Sequence, residues 1–333
     1  MLVNDRIVEP VTAVPADYVS ALENVVSQRE SVAGFVRGKD FRRVYFVGCG
    51  ASYYATWPAL SFMDNASDLP AWRCTGGDFA TAPPRRLDRR TLVVAASHSG
   101  YTDETIDAAR LARRAGATVA AITREQASPL AEVAHETFAY CSNSAIVESR
   151  MLLFQLFARS LAHRDTTVFE KLPLALRTAK DEVVAAATEI AGRLDSGTMA
   201  YVVGAGPSLG VANAFAHCYL QEMQWIPATA VDATTFFHGP FEAVEPGTPV
   251  LVLLAEDGSR AAAERVWRFA ENYSGNVAVL DSRKMSLPGV RPADRAELGV
   301  IGLGSAARRV VDFLAAARGH DLTTRRYMRR VDY

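Results

Sequence analysis

Lysine is scarce in this sequence: it accounts for only 4 of the 36 basic residues, and no basic residue occurs between Arg193 and Arg260. The 36 lysine and arginine residues are balanced by 37 aspartate and glutamate residues, so the formal net charge is −1. A chain without excess positive charge lacks the electrostatic basis for binding nucleic acid or an anionic membrane surface. We therefore expect neither partner.

Cysteine is also rare, and long apolar runs are missing. Cys49, Cys74, Cys141 and Cys218 show no Cys-x-x-Cys spacing and lie in or beside apolar segments, so we expect reduced, structural thiols. Apolar runs such as Val250–Ala255 have the length of a strand, far below the roughly 18 residues of a membrane span. The first ten residues carry acidic side chains and no apolar core, unlike a signal peptide. These absences favour a cytoplasmic protein.

Complete cofactor and metal motifs are absent from the sequence. The dinucleotide fingerprint Gly-x-Gly-x-x-Gly fails in both Gly-x-Gly turns, where Tyr53 and Leu209 stand in place of the third glycine. The sequence has no His-x-x-x-His, no cysteine cluster and no acidic loop with metal-ligand spacing. We therefore predict neither a metal nor a cofactor.

Two copies of one sequence pattern are present. An apolar strand runs into a Gly-x-Gly turn at 44–52 and again at 201–208. Three further pairs of strand-like segments follow, namely 91–99 with 249–257, 117–123 with 276–281, and 137–142 with 298–303. Amphipathic helical patterns at Asp103–Arg114 and Arg260–Asn272 lie between the strands. Short buried strands that alternate with such helices predict parallel, doubly wound sheets.

The expected fold class is α/β, with two tandem flavodoxin-like, doubly wound domains packed together. An extra helix is expected at 16–38, and a long helical stretch is expected from Glu148 to Asp195, with a break near Pro173. The expected boundaries are an N-terminal helical segment at 1–34, a first domain at 35–160, a linking helix at 161–195, a second domain at 196–320 and a C-terminal tail at 321–333 that covers a site.

Hydroxyl side chains crowd the second turn of the first unit. Ser97, Ser99 and Thr102 follow a buried strand, and a helix begins near Thr102. A helix N-terminus offers unpaired N–H donors and a partial positive charge, and hydroxyls add neutral donors around it. Ser52, in the neighbouring turn, would reach the same edge of the sheet. The simpler interpretation is helix capping, but four hydroxyls on two turns favour a phosphate cradle that needs no lysine or arginine.

The corresponding turn of the second unit has lost these hydroxyls. It reads Glu256-Asp257-Gly258-Ser259, and its carboxylates would repel a phosphate. The difference predicts one phosphate site per chain.

Glu222 and His238 form a candidate proton-transfer pair in the second unit. Glu222 ends a predicted helix, Val211–Gln224, among apolar neighbours, and burial of a carboxyl group favours its neutral form. His238 precedes Gly-Pro, where the chain must turn, so its ring is expected to face a cleft. Each residue alone has an ordinary explanation, as a solvated helix residue and as a turn residue. His217 is interpreted as a histidine at the edge of the core.

Four motifs together resemble the sugar isomerase (SIS) domain family. They are GCGAS at 48–52, SHSGYT at 97–102, EMQ at 222–224 and FFHGPFE at 236–242. The resemblance extends from about Phe41 to the tail. Within the family, the chain is most similar to deglycases of fructosamine 6-phosphates and fructoselysine 6-phosphate, and it is also similar to the isomerase half of glucosamine 6-phosphate synthase.

This resemblance implies functional residues and an assembly. It implies Glu222 and His238 as the catalytic pair, contributed by different subunits of a homodimer. It implies that the sugar phosphate is held by Ser52, Ser97, His98, Ser99 and Thr102. It further implies substrate contacts from Gly50, Ala51, Glu148 and Arg330.

Two departures from the synthase bear on the substrate. The synthase forms a Schiff base through a lysine of its tail, whereas the tail here has Arg330 as the counterpart, and arginine cannot act as that nucleophile. A substrate that already carries an amine on carbon 1 would not need the lysine. Glu148 stands near a sugar-contacting serine of the synthase. We hypothesise that it meets a cationic amine, with an ion pair to Arg150 as the equal alternative.

The sequence therefore predicts an enzyme that uses water to cleave fructosamine 6-phosphates, the Amadori compounds, into glucose 6-phosphate and a free amine. One alternative is an aldose–ketose sugar-phosphate isomerase or an aminosugar-phosphate deaminase with the same acid–base pair. Another is a phosphosugar-binding regulator without catalysis.

Overall fold

The computed structural model describes residues 13–195 and 197–332, and the chain divides into two compact units. One unit comprises Pro15–Arg177 and Leu287–Ile301, and the other comprises 13–14, Thr178–Ser286 and 302–332. Each unit contains its own parallel sheet. In the part of the chain that the structure describes, no helix is long and apolar enough to span a bilayer.

The first unit contains a five-stranded parallel sheet in the order β2-β1-β3-β4-β5. Its strands are β1 Arg43–Gly48, β2 Ala71–Thr75, β3 Thr91–Ala96, β4 Thr118–Thr123 and β5 Glu136–Ala139. Strand β3 lies at the centre and is buried along its whole length, as expected for a parallel strand that is covered on both faces.

The second unit contains a four-stranded parallel sheet in the order β7-β6-β8-β9. Its strands are β6 Ala200–Gly204, β7 Ala228–Asp232, β8 Val250–Leu254 and β9 Val277–Asp281. The first four strands of each sheet therefore have the same spatial order.

Thirteen α-helices are assigned within the described residues. They are α1 Tyr18–Ser27, α2 Arg29–Val36, α3 Ala51–Tyr54, α4 Trp57–Ala66, α5 Gly76–Thr81, α6 Asp103–Arg114, α7 Pro129–Val133, α8 Ile146–Leu161, α9 Leu172–Glu182, α10 Val184–Leu194, α11 Ser208–Asn213, α12 Arg260–Tyr273 and α13 Arg295–Arg318. A π-helix spans Ala214–Met223, and short 3-10 helices span Thr167–Phe169, Pro240–Ala243, Ser282–Lys284 and Pro292–Asp294.

The α/β class with parallel sheets is confirmed, and seven predicted strand segments coincide with β1, β3, β4, β5, β6, β8 and β9. The strand expected at 298–303 is wrong, because this segment lies inside helix α13. A short apolar run fits a buried helix as well as a buried strand. In the helix, Leu298, Ile301 and Leu303 are fully buried, so the same apolar residues are satisfied without a fifth strand.

Two helical predictions also differ from the structure. The single helix expected at 16–38 is two helices, α1 and α2, separated at Gln28. The long stretch after Glu148 has the expected break near Pro173, between α8 and α9, and a second break at Val183, between α9 and α10. Pro173 is the second residue of α9, where a proline costs no hydrogen bond because N–H groups in the first turn have no helical partner.

Candidate functional site

Strands β1 and β3 end side by side at the carboxyl edge of the first sheet. They are parallel neighbours, and the register pairs Gly48 with Ala96. The order of the strands reverses between them, because β2 lies beyond β1 on one side and β4 lies beyond β3 on the other. Open α/β sheets bind ligands in the crevice that such a reversal creates. The turns at 49–52 and 97–102 therefore lie next to each other at the position where open α/β sheets usually bind ligands.

The loop after β3 is organised by its own hydroxyl groups. Ser97 Oγ accepts a hydrogen bond from the Gly100 N–H at 3.1 Å and lies 2.9 Å from Thr102 Oγ1. Ser99 Oγ accepts a hydrogen bond from the Tyr101 N–H at 3.2 Å. Gly100 has a φ of +73°, and a Cβ atom there would lie 2.2 Å from Ser128 Oγ. Only glycine fits this turn, which brings Ser97, Ser99 and Thr102 together.

Thr102 does not cap the helix that it precedes. It is the N-cap residue of α6, yet its side chain makes no capping hydrogen bond, and its Oγ1 contacts Ser97 instead. The N–H groups of the first turn of α6 thus lack the usual side-chain acceptor. This arrangement differs from simple capping and leaves donors available at the edge of the sheet.

Ser52 is buried in α3, where it contacts Arg150, which the sequence indicated only as an ion-pair partner for Glu148. The Arg150 Nη1 donates a hydrogen bond to Ser52 Oγ at 2.9 Å, and its Nε donates to the Ile146 carbonyl at 3.2 Å. Arg150 lies on α8 and is only 5% exposed. The sequence predicts a cradle without lysine or arginine, and in the structure the long side chain of Arg150 reaches Ser52 from a different helix.

His98 is held by a tyrosine at the end of β5. His98 Nδ1 lies 2.6 Å from the Tyr140 hydroxyl oxygen, and the two rings stack with centroids 5.9 Å apart. Burial raises the pKa of Tyr140, although the nearby charges of Arg150 and Arg124 lower it, so the hydroxyl keeps its proton at neutral pH. Tyr140 can therefore donate to His98 and fix the orientation of the imidazole.

The remaining predicted substrate contacts of this unit differ in exposure. Gly50, with a φ of +50°, caps α3, and no atom lies within 4 Å of where its Cβ would stand. Ala51 follows it and is partly exposed. Glu148 is only 1% exposed, and its Oε1 accepts a hydrogen bond from the Tyr18 hydroxyl at 2.8 Å. Glu148 and Arg150 thus contact Tyr18 and Ser52, respectively.

Glu222 lies near the end of the π-helix Ala214–Met223, in the second unit. The predicted helix Val211–Gln224 is helical but divides into α11 and this π-helix. π-Helices are rare and occur frequently at functional sites. Glu222 Oε1 accepts hydrogen bonds from Nε and Nη2 of Arg325, both at 3.1 Å, and both side chains are partly exposed. Arg325 in the tail therefore pairs with the predicted catalytic carboxylate.

A cavity of about 370 Å³ adjoins Glu222 and is lined by Trp225 and by tail residues 325–328. Trp225 has a φ of +58°, which is an unusual conformation for a bulky residue. Its ring lies 4.3 Å from the Arg326 guanidinium and 4.6 Å from the ring of His320. The strained backbone of Trp225 turns an aromatic face toward the tail, so the tail and the end of the π-helix together enclose the space beside Glu222.

Neither His238 nor Arg330 lines the cavity beside Glu222. His238 is exposed in the turn after β7, where its N–H donates a hydrogen bond to the Thr235 carbonyl at 2.9 Å. Among the residues that the structure describes, no hydrogen bond joins its side chain to Glu222. Arg330 is exposed in the tail and does not line the cavity beside Glu222.

Comparison with known proteins places the chain in a family. Residues 39–159 match the model of the SIS domain. The fructosamine deglycase FrlB of Bacillus subtilis strain 168 is 31% identical over 310 residues, which cover 90% of this chain and 94% of that protein. A fructoselysine 6-phosphate deglycase of Escherichia coli O157:H7 is 30% identical over 86% of this chain and 84% of its own length.

The fold also matches a solved structure. The crystal structure of a Bacillus subtilis protein, described as a candidate phosphosugar isomerase, matches with a TM-score of 0.85 at 28% identity and covers 94% of this chain and 99% of that one. The chain belongs to the SIS-domain family, and the two curated relatives named above are deglycase enzymes.

Proposed function

We propose that this protein is a deglycase that cleaves fructosamine 6-phosphates with water to glucose 6-phosphate and a free amine. The observation that carries this proposal is the likeness to two deglycases over at least 84% of the length of each protein. Their names state that they act on fructosamines and on fructoselysine 6-phosphate. The predicted site residues offer phosphate donors and an acid–base pair, which are the two kinds of group that this reaction requires.

The phosphate group binds at the carboxyl edge of the first sheet. Ser52, Ser97, Ser99 and Thr102 donate hydroxyl hydrogen bonds, His98 lines the same loop, and the N-terminus of α6 supplies N–H donors. The contact between Ser97 and Thr102 and the absence of a capping bond at Thr102 support this role. Gly50, Ala51 and Glu148 lie beside these groups and contact the sugar.

Glu222 and His238 carry out the proton transfers. His238 assists opening of the sugar ring. Glu222 then moves a proton from carbon 1 to carbon 2, while the carbon-2 oxygen gains a proton and the amine nitrogen loses one, which converts the fructosamine into an aldimine. Water adds to the carbon–nitrogen double bond, and the amine leaves as the aldehyde of glucose 6-phosphate forms. Arg325 must release Glu222 before the reaction, because its guanidinium occupies Oε1 of this carboxylate.

The proposal also includes the domain organisation, a homodimeric assembly and the cellular location. The matching order of the first four strands supports two tandem SIS-type domains with the boundaries predicted from the sequence. We also propose a homodimer in which His238 completes the site of the other subunit, which agrees with its exposure in the single chain, and in which Arg330 contacts the substrate. A cytoplasmic location agrees with the four cysteines, all of which are free thiols.

A coupled assay tests the reaction. The protein is incubated with fructoselysine 6-phosphate, and glucose 6-phosphate and lysine are both quantified. We expect the two products in equal amounts. Interconversion of glucose 6-phosphate and fructose 6-phosphate without amine release would identify an isomerase instead, and binding without any turnover would identify a regulator. Either result refutes the proposal.

Replacement of the carboxylate tests the mechanism. Glu222→Gln should lower turnover by about a hundred- to ten-thousand-fold, because the amide cannot accept the carbon-bound proton, and should leave glucose 6-phosphate affinity nearly unchanged. Glu245→Gln is the control, since Glu245 is an exposed glutamate of the same unit outside the site. A Glu222→Gln variant with normal turnover would remove Glu222 from the mechanism.

A further inference from the structure

Arg150 is a buried cation that has no carboxylate partner among the described residues. It is 5% exposed, and its hydrogen bonds go to neutral oxygen atoms of Ser52 and Ile146. No ion pair of Arg150 occurs in the described part of the chain. Burying a charge is unfavourable unless the charge is paired, so buried arginines normally have an acidic partner. Arg150 therefore lacks the compensation that its environment demands.

Arg159, on the same helix, shows the usual arrangement. It is 7% exposed, and its Nη2 lies 2.6 Å from Glu297 Oε2 and 3.4 Å from Asp294 Oδ1. Helix α8 thus carries two buried guanidinium groups, one of which is neutralised by acidic residues while the other is not. The contrast indicates that the described residues do not supply the counter-charge of Arg150, and a bound anion would supply it.

The position of Arg150 indicates which kind of anion could supply its counter-charge. Its contact is Ser52 Oγ, which belongs to the turn after β1 at the edge where the hydroxyls of the next turn gather. When Arg150 donates to a lone pair of Ser52 Oγ, the hydroxyl proton of Ser52 is left to point elsewhere, toward an acceptor. The guanidinium also makes this hydroxyl a stronger donor, because a hydrogen bond chain polarises its members.

We propose that Arg150 is the positioning residue that supplies the positive charge of the phosphate site, acting through Ser52 on a doubly charged phosphate ester. This inference rests on the proposed phosphate-binding role of Ser52. It changes the description of the site from an uncharged cradle of hydroxyls to a cradle backed by one buried cation. It also predicts that the site binds a dianion in preference to a monoanion.

Arg150→Met tests the proposal, since methionine is a long apolar side chain that can occupy the same space without charge. Affinity for glucose 6-phosphate, measured by calorimetry at fixed pH, should fall by roughly ten- to a hundred-fold, the range of a charge-assisted hydrogen bond. Affinity for glucose 6-sulfate, a monoanion, should fall less, so the preference for the dianion narrows. The melting temperature of the free protein should stay the same or rise, because an uncompensated buried charge has been removed.

Three comparisons make the result specific. Arg159→Met should lower the melting temperature clearly and leave the preference for the dianion unchanged, because it breaks an internal ion pair. Arg150→Lys should restore part of the preference. In a Ser52→Ala background, Arg150→Met should have a much smaller effect on affinity, because the two residues act in series.

Each outcome separates this inference from the proposed function. If the wild-type protein binds neither ligand, the phosphate site itself is refuted. If it binds glucose 6-phosphate and Arg150→Met weakens both ligands equally, or lowers the melting temperature without changing affinity, Arg150 has a purely structural role and the inference is overturned.

Discussion

Replacement of Thr102 by valine separates phosphate binding from helix capping at the loop after β3. Valine has nearly the shape of threonine and lacks the hydroxyl. In the structure that hydroxyl makes no capping bond to α6 and contacts Ser97 Oγ at 2.9 Å. Loss of one such neutral hydrogen bond should lower the free energy of unfolding by about 0.5–1.5 kcal/mol.

The loss in phosphosugar affinity should exceed this loss in stability. A hydrogen bond to a charged group contributes about 1.5–3 kcal/mol, which corresponds to a roughly ten- to hundred-fold weaker affinity for glucose 6-phosphate. Affinity is measured by calorimetry and stability by urea denaturation of the free protein. Thr91→Val is the matched control, since Thr91 begins the same strand at the opposite edge of the sheet and hydrogen-bonds Asp88.

The control should lose at least as much stability, because the Thr91 hydroxyl also contacts Arg43 and the Asp88 carboxylate, and it should keep its affinity for the ligand. A Thr102→Val protein with normal glucose 6-phosphate affinity would refute the phosphate cradle. A loss of stability well above the range for one neutral hydrogen bond would show that Thr102 supports the helix after all.

Two further predictions concern the second unit. Arg325→Ala should lower the free energy of unfolding by at most about 1 kcal/mol, because its pair with Glu222 is partly exposed, and a larger loss in urea denaturation would contradict this view of the tail. Burial of Asp281 opposes its ionisation, but hydrogen bonds from Arg260 and from the Arg283 N–H outweigh burial and lower the pKa of Asp281. A carboxyl group with a lowered pKa stabilises the folded protein at pH values above the ordinary carboxyl pKa. Asp281→Asn should therefore lower the free energy of unfolding by about 3 kcal/mol at neutral pH, and this loss should shrink as the pH falls below about 4. If the difference in the free energy of unfolding between the wild-type protein and Asp281→Asn stayed constant down to pH 2, the lowered pKa of Asp281 would not contribute to stability.

The periodic parts of the fold were predictable from the sequence. Strands such as β3 and β8 are short, apolar and buried on both faces, and helix α6 has the amphipathic pattern of a helix that lies on a sheet. The segment 298–303 was not predictable in this way, because an apolar run of six residues has no period that separates a buried strand from a buried helix. Its neighbours in α13 decide its structure.

The candidate site was predictable where function depends on consecutive residues. Ser97, Ser99 and Thr102 lie in one loop, so their proximity follows from their spacing. Arg150 lies 98 residues from Ser52, and an arginine in a helix ordinarily faces solvent, so its position could not be inferred. In the tail the sequence singled out Arg330, but Arg325 contacts Glu222, and four arginines within six residues offer no local signal for choosing among them.

The π-helix at 214–223 makes the direction of Glu222 sensitive to chain length. In a π-helix each backbone hydrogen bond joins residues five apart, whereas in an α-helix it joins residues four apart, so the π-helix accommodates extra chain length. Deleting one residue there would allow ordinary α-helical pairing and rotate everything downstream by about 100° around the axis. The carboxylate would then leave the space that it shares with the tail, although every side chain named in the chemistry would still be present. Insertions and deletions in this helix among related proteins are therefore expected to track changes in reaction rather than in fold.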